Sequence, residues 1–312
     1  MPDLYVANTD NAWFDFLRER RPWQEVNFWK PSQQIFKAID EGGLFVFRLK
    51  SPRNVIGGYG ILSSAINVPI KFAWESLGQG NGVESLETMV RAIGRYRKRD
   101  TDAHSLIGCR VLVNPVFFDE HEWFPIPEDW SQNIVTGKVY RPLSREGGRL
   151  LEQLQSRTAP SVIFERDRRD FEGFEERQAR FGAPTTVIPR LGQGAFRIKV
   201  AGTYQFSCAI SETRVLPALD AAHIRPYREG GSHSITNGIM LRKDIHSVFD
   251  EGFATIDNDG RFVVSSQVKE RFNNGSEYRR LHGKAIWLPA SASERPSLDS
   301  LEWHQNNKFV GA

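Results

Sequence analysis

The run from Cys208 to Asp257, CAISETRVLPALDAAHIRPYREGGSHSITNGIMLRKDIHSVFDEGFATID, decides how this chain is read. It carries His223, then Asn237 fourteen residues later, then His246 nine residues after that. Val215, Leu216, Leu219 and Ile224 are apolar or strand-forming, and Pro226 ends regular pairing soon afterwards, so His223 is predicted near the end of a strand. Strand residues two apart share a face, which sets Asp220 opposite His223 and on the side of Ala222. Arg225 to Thr236, with Gly230 and Gly231 among polar neighbours, has the composition of a loop that approaches a ligand. Ile239, Met240, Ile245, Val248 and Phe249 read as an apolar stripe at helical spacing, leaving Asp244 and Asp250 toward solvent or cations. The order is strand, loop, strand, helix.

These residue types suit hydrolysis of a phosphodiester. The reaction needs a base for the attacking water, and a neutral imidazole such as His223 titrates near the operating pH. It also needs positive charge where the leaving oxygen becomes negative, which a divalent cation supplies. Asp220 and His246 are the candidate ligand pair, with water and phosphate oxygens in the other positions. Asn237 is the candidate for orienting His223, by a hydrogen bond to its ring or to loop backbone. Arg225 and Arg242 are the candidates for holding a phosphate. Taken singly, each has a plain structural explanation: Asn237-Gly238 is an ordinary turn signal, and His233 reads as a satisfied structural histidine. The combined spacing is what favours chemistry.

AAHIRPY (221–227), NGIMLRKDIHSVFDEGF (237–253) and the preceding RLGQGAFR (190–197) and YQFSCAI (204–210) resemble the HNH, or ββα-metal, endonuclease family in its restriction-enzyme variant. The resemblance spans roughly 187–303. It implies that His223 is the general base, Asn237 the middle asparagine and His246 a metal ligand. The implied cofactor is a divalent metal, Mg2+ or Mn2+, with other transition metals compatible. Many members carry a ligating Asp or His just before the base. That position is Ala222 here, and Asp220 is the substitute.

At 312 residues the chain is long enough for two domains. A net charge of +3 is too small to mark a nucleic-acid binder by itself, so any DNA footprint must be local. Two cysteines exclude a disulfide framework and a four-thiolate zinc site, which points to a reducing, cytoplasmic setting. The first residues lack a basic start with an apolar core, and no apolar run is long enough to span a membrane.

Residues 1–140 read as one mixed domain: a strand over 4–7, a helix over 11–19, strands over 44–49 and 55–62, helices over 72–77 and 85–97, and a strand over 107–113. Gly57, Gly58 and Gly60 in the fourth of these elements predict a bend, a bulge or close approach of another backbone. A small, partly closed barrel with helices around it packs this order. Six of the eight tryptophans fall in this region, several in polar surroundings. Core packing accounts for most, but flat aromatic faces beside Asn or Asp also hold a base rotated out of a duplex. NFWKPS (27–32), GGLFVFRLKSPRNVIGGYGIL (42–62) and the run 113–140 resemble the PUA superfamily, closest to EVE-like and SRA-like modified-base readers. The resemblance implies a pocket around Asn27 and Trp29 with Trp74 or Trp123.

The expectation is therefore an α+β chain: a PUA-like reader over 1–140, a charged helical linker over 141–186, and an HNH nuclease over 187–312. Its function would be that of a type IV-like restriction endonuclease. It would recognise 5-hydroxymethylcytosine or 5-methylcytosine in double-stranded DNA by base flipping and act as a homodimer, since one hairpin cuts one strand. Two rivals stand beside it: a sequence-specific enzyme reading ordinary bases in the major groove, and an inactive DNA-binding protein, for which Ala222 is the support.

Overall fold

The computed structural model describes residues 2–98, 100–158 and 192–311. The predicted charged segment with Arg166, Arg168, Arg169, Arg177 and Arg180 lies outside them. The chain divides into two compact units, 1–190 and 191–312. Among the described residues no helix is long and apolar enough to cross a membrane.

The first unit is built on a mixed seven-stranded sheet. Its strands are β1 (Leu4–Thr9), β2 (Glu25–Asn27), β3 (Leu44–Leu49), β4 (Val55–Pro69), β5 (Leu106–Phe117), β6 (Phe124–Pro125) and β7 (Gly137–Tyr140). The order is β2-β5-β4-β3-β1-β7, with β6 beside the start of β4. β1 runs parallel to β3 and antiparallel to β7. β4 is 15 residues long, well beyond the predicted end at Leu62, and its register against β5 shifts at Tyr59/Ile61 and again at Leu62/Ser64. Those irregularities bend the strand. The glycines behave as the sequence suggested: a Cβ on Gly58 would sit 2.1 Å from the Val116 carbonyl oxygen of β5, and one on Gly57 would sit 2.8 Å from the Phe14 ring.

Alternation along the strands makes two cores. Tyr5, Ala7, Phe45, Phe47 and Leu49 face α1 (Asn11–Glu19), which contributes Trp13, Phe14 and Leu17. Asp10 caps that helix by accepting from the backbone of Ala12 and Trp13. Leu4, Val6, Leu44 and Val46 face the other way, onto α4 (Arg145–Gln155), and Leu150, Leu151 and Leu154 complete that core. The sequence assigned these leucines to the linker; their period of three and four faces the sheet. The first unit thus extends past Tyr140. Helices α2 (Ile70–Leu77) and α3 (Leu86–Arg97) follow β4, and Ser85 caps α3 through the Thr88 backbone.

The second unit is a hairpin wrapped by helices. α5 (Gln193–Thr203) packs its buried Phe196, Ile198 and Val200 on the pair β8 (Leu219–His223) and β9 (Gly238–Arg242). α6 (Lys243–Asp250) leaves β9 directly. Ile239 and Met240, expected on the helical stripe, belong to β9, opposite Ala222 and Ala221. Both readings bury them; the pairing to β8 decides. A second hairpin, β10 (Ala254–Ile256) and β11 (Phe262–Val264), and a closing helix, α9 (Leu298–Asn307), complete the unit, with the short helices α7 (Gln267–Phe272) and α8 (Ser276–Arg279) between. His304 of α9 is 2% exposed, stacks on Phe249 at 3.8 Å, and bonds to the Thr255 hydroxyl and the Phe249 carbonyl.

Candidate active site

His223 ends β8 opposite Gly238, the first residue of β9. Any side chain at position 238 would strike α5, since a Cβ there would lie 2.5 Å from Val200 and 2.9 Å from the Phe196 ring. With glycine in place the Phe196 ring stacks on the imidazole, 4.0 Å between centroids and 11° between planes. Burial first, then the neighbouring His233 and His246, push the His223 pKa down to about 4, against opposing pulls from Asp250 and Asp220. The ring is neutral at physiological pH, the form a proton acceptor requires.

The strict two-face reading of β8 set Asp220 away from His223. Helix α6 reaches it nonetheless: His246 Nδ1 lies 3.4 Å from Asp220 Oδ2, and His246 Nε2 lies 3.1 Å from Asp250 Oδ2. Arg197 of α5 approaches Asp220 at 3.8 Å. Burial alone would lower the His246 pKa, but the bonds to Asp220 and Asp250 outweigh it and raise it to about 9. Burial alone would raise that of Asp220; His246 and Arg197 hold it below the usual carboxylate range.

This pair fits a divalent cation. Two atoms bound to one ion at ~2.1 Å stand ~3.0–3.4 Å apart, which matches the separation of Asp220 Oδ2 and His246 Nδ1. Asp250 then holds the far nitrogen of the ligating ring, the usual place for a carboxylate that fixes the tautomer. Among the described residues no group of three or more metal-binding side chains is gathered.

Asn237 is 3% exposed and does not bond to the His223 ring. Its oxygen accepts from the Arg225 backbone at 2.9 Å, and its nitrogen donates to the carbonyls of Arg225 and Ser232 at 2.9 and 2.8 Å. Of the two roles open from sequence, the structure gives it the second: it fastens the loop. Arg242 is gripped by Asp244 through two bonds of 2.6 and 2.7 Å, so its candidate phosphate contact competes with that carboxylate. Arg225 donates through Nε to the Glu229 carbonyl and lies over Trp303 at 5.2 Å.

Two neighbours stood outside the candidate site residues: Asp250, expected toward solvent or cations, and His233, expected as a satisfied structural histidine. Asp250 had a signal, the His246–Asp250 spacing of four on a helix. His233 had none, because it sits on the loop. His233 Nδ1 lies 2.8 Å from His223 Nε2, with Tyr227 stacked on its ring at 4.7 Å. A bond between two neutral imidazoles needs one N–H and one lone pair. If His233 donates, the proton of His223 sits on Nδ1 and neither nitrogen is available as a base. If His223 donates, its Nδ1 lone pair is open. Base chemistry at His223 therefore requires His233 as acceptor.

In the first unit the structure gathers only part of the expected base pocket. Asn27 is fully buried and donates to Asn81 Oδ1 at 2.8 Å and to Cys109 Sγ at 3.2 Å. The Trp29 indole donates to the Asn81 carbonyl at 2.9 Å. Asn81, not singled out in the sequence, also donates to the carbonyl of Ala73, beside Trp74. Trp123 is elsewhere: its indole donates to the Phe118 carbonyl, and Arg18 and Arg53 flank its ring at 5.3 Å each. Asn27 packs as part of the wall, with its amide nitrogen already engaged.

Comparisons with known proteins agree with the geometry of the second unit. Residues 208–257 match the HNH endonuclease family, and this unit carries an HNH nuclease domain. No curated protein matches the chain. Among solved structures, an ASCH protein from Zymomonas mobilis aligns over 48% of this chain and 94% of its own, at 9% identity and a TM-score of 0.34. A structure titled "Modification dependent TagI restriction endonuclease" aligns over 99% of this chain and 82% of its own, at 14% identity and a TM-score of 0.28.

Proposed function

We propose that this protein is a modification-dependent restriction endonuclease, its first unit reading a modified cytosine turned out of the duplex and its second cutting a phosphodiester nearby. The observation that carries the nuclease half is the meeting of Asp220, His246 and His223 at one end of a hairpin. Asp220 and His246 would hold a divalent metal, Mg2+ or Mn2+, which when bound stabilises charge on the phosphate and leaving oxygen. His223 takes a proton from water through Nδ1 while donating Nε2–H to His233. Asn237 keeps the loop, and with it His233, in register. The reader half is supported by the PUA-like segments and by the tryptophan-rich first unit. Two protomers would be needed for a double-strand break, and the two buried free cysteines suit a cytoplasmic setting.

The test is digestion of otherwise identical duplexes carrying cytosine, 5-methylcytosine, 5-hydroxymethylcytosine or its glucosylated form, with Mg2+ or Mn2+. Cutting confined to one or more modified duplexes is the expected result. Equal cutting of the unmodified duplex would overturn the reader half, and no cutting of any duplex with either metal would overturn the nuclease half.

A further inference from the structure

The first unit holds a buried cation, Arg110, and a half-buried one, Lys30, and among its described residues neither has a carboxylate partner. Arg110 of β5 is 7% exposed, and Lys30 is joined to the neighbouring strand through reciprocal backbone bonds with Gly108. Arg110 lies over Phe36 at 5.1 Å and Lys30 over Phe28 at 5.2 Å. Both rings pack on Phe45, at 5.9 and 4.8 Å, with Tyr5 closing the group. The two cations thus border one aromatic wall. The polar contact of the guanidinium is a 3.3 Å bond to the Gly108 carbonyl.

Ion pairs account for other cations nearby but not these. Lys50 faces Asp10 at 3.8 Å. Among the described residues no carboxylate acts on Lys30 or Arg110. The influences on Lys30 are burial, then Arg110 and Lys50, and all three push its pKa down, to about 8. Beside Arg110 on the ladder, Ala65 faces it and Ser64 faces Val111; the buried hydroxyls of Ser63 and Ser64 have no hydrogen-bond partner. Charges withdrawn from water are ordinarily paired, because an unpaired one costs several kcal/mol. The two ring faces offset only part of that. Two such cations held together are matched by an anion that arrives from outside.

We propose that Lys30 and Arg110 form an oxyanion site at the edge of the Tyr5, Phe28, Phe36 and Phe45 wall, and that its ligand is an anionic group carried by DNA. Two groups have this chemistry: a backbone phosphate, or a carboxylate on the base. The proposal rests on the first unit being the DNA-reading one.

The experiment is equilibrium binding of the full chain by fluorescence anisotropy, in Ca2+ to prevent cutting, over a salt series. The probes are matched duplexes with cytosine, 5-methylcytosine or 5-carboxylcytosine, and one with a neutral methylphosphonate linkage at the target nucleotide. If a phosphate is bound, Lys30→Gln lowers the slope of log affinity against log salt by about 0.9 with every charged duplex, a loss of roughly 8-fold at 0.1 M salt. The methylphosphonate then weakens wild type by a similar factor. If a base carboxylate is bound, wild type favours the 5-carboxylcytosine duplex at least tenfold and Lys30→Gln abolishes the preference. Arg110→Gln, checked for folding by circular dichroism, should reproduce either pattern; Lys30 is the less buried and decides alone if that variant does not fold. Wild-type affinity, salt slope and preference in Lys30→Gln would overturn the proposal. A wild type blind to modification, with a reduced slope in Lys30→Gln, removes the modification reading and keeps the site. Preference for a modified duplex, with affinity and salt slope also unchanged in Lys30→Gln, does the reverse.

Discussion

The hairpin of the second unit and the sheet of the first treat their polar and aromatic side chains in opposite ways. Near His223 a short run of chain gathers two carboxylates and three imidazoles in two bonded sets, Asp220–His246–Asp250 and His223–His233. In the first unit most aromatic rings are consumed by packing: Trp13 and Phe14 fill the core, and the indole N–H groups of Trp13, Trp23, Trp29 and Trp123 all donate to backbone carbonyls. The lesson is that abundance marks a structural use and scarcity a chemical one.

The sharpest way to break this contrast is His223→Ala, which should lower cleavage by about 10²–10⁴-fold, the usual contribution of a general base. DNA binding by anisotropy should be unchanged; cutting at the wild-type rate would remove His223 from the chemistry. Next in size, Asp250→Asn should weaken metal binding about 10–100-fold, as loss of a carboxylate behind a ligating histidine does, read by calorimetry with Mn2+. His246 carries a proton below about pH 9 in the metal-free protein. Metal uptake there releases that proton, so apparent affinity should rise up to ~10-fold per pH unit and level off near pH 9; a flat profile would mean that His246 is not a ligand. For the His233 partnership, His233→Ala should lower the cleavage rate about 10-fold or more. His233→Asn keeps an acceptor at the δ position and should retain most activity. Long-range proton–nitrogen spectra should show His223 protonated at Nε2 in wild type and in the Asn variant, and a mixture in the Ala variant.

The smallest effect concerns stability. His304 is neutral in its buried place, with a folded pKa of about 4 against 6.5 when exposed. A depressed histidine pKa means that the unfolded chain binds the proton first, so its stabilisation is complete above pH 6.5 and is lost as pH falls toward 4, by up to about 3 kcal/mol. Chemical denaturation from pH 7 to 4 should show that loss, and His304→Gln should reduce it, the remainder coming from His223, whose pKa is likewise pushed down to about 4.

Much of the nuclease site was legible because its parts are close in sequence and lie on regular elements. Strand period placed His223 at a strand end and helix spacing placed His246. Alternation set Asp220 across the strand from His223 but could not show the helix that brings His246 to it. His233 was illegible: loop residues carry no period, and its partner is set by how Asn237 closes the loop. In the first unit the strands and the roles of Gly57 and Gly58 were readable from composition. The pocket was not, since which tryptophan faces which neighbour depends on a sheet whose order departs from the order of the chain. Asn27 read as a hydrogen-bonding group for a base edge; its amide nitrogen is engaged by Asn81, while its Oδ1 has no hydrogen-bond partner.

One detail of that sheet bears on how the protein is made. β1, the earliest strand, is hydrogen-bonded on both sides, to β3 and to β7, and β7 ends at Tyr140. A growing polypeptide therefore cannot close its first half until about that point has left the ribosome. By then His223 has not been synthesised. The nascent chain can pair every strand of its first sheet before any residue of the nuclease site exists.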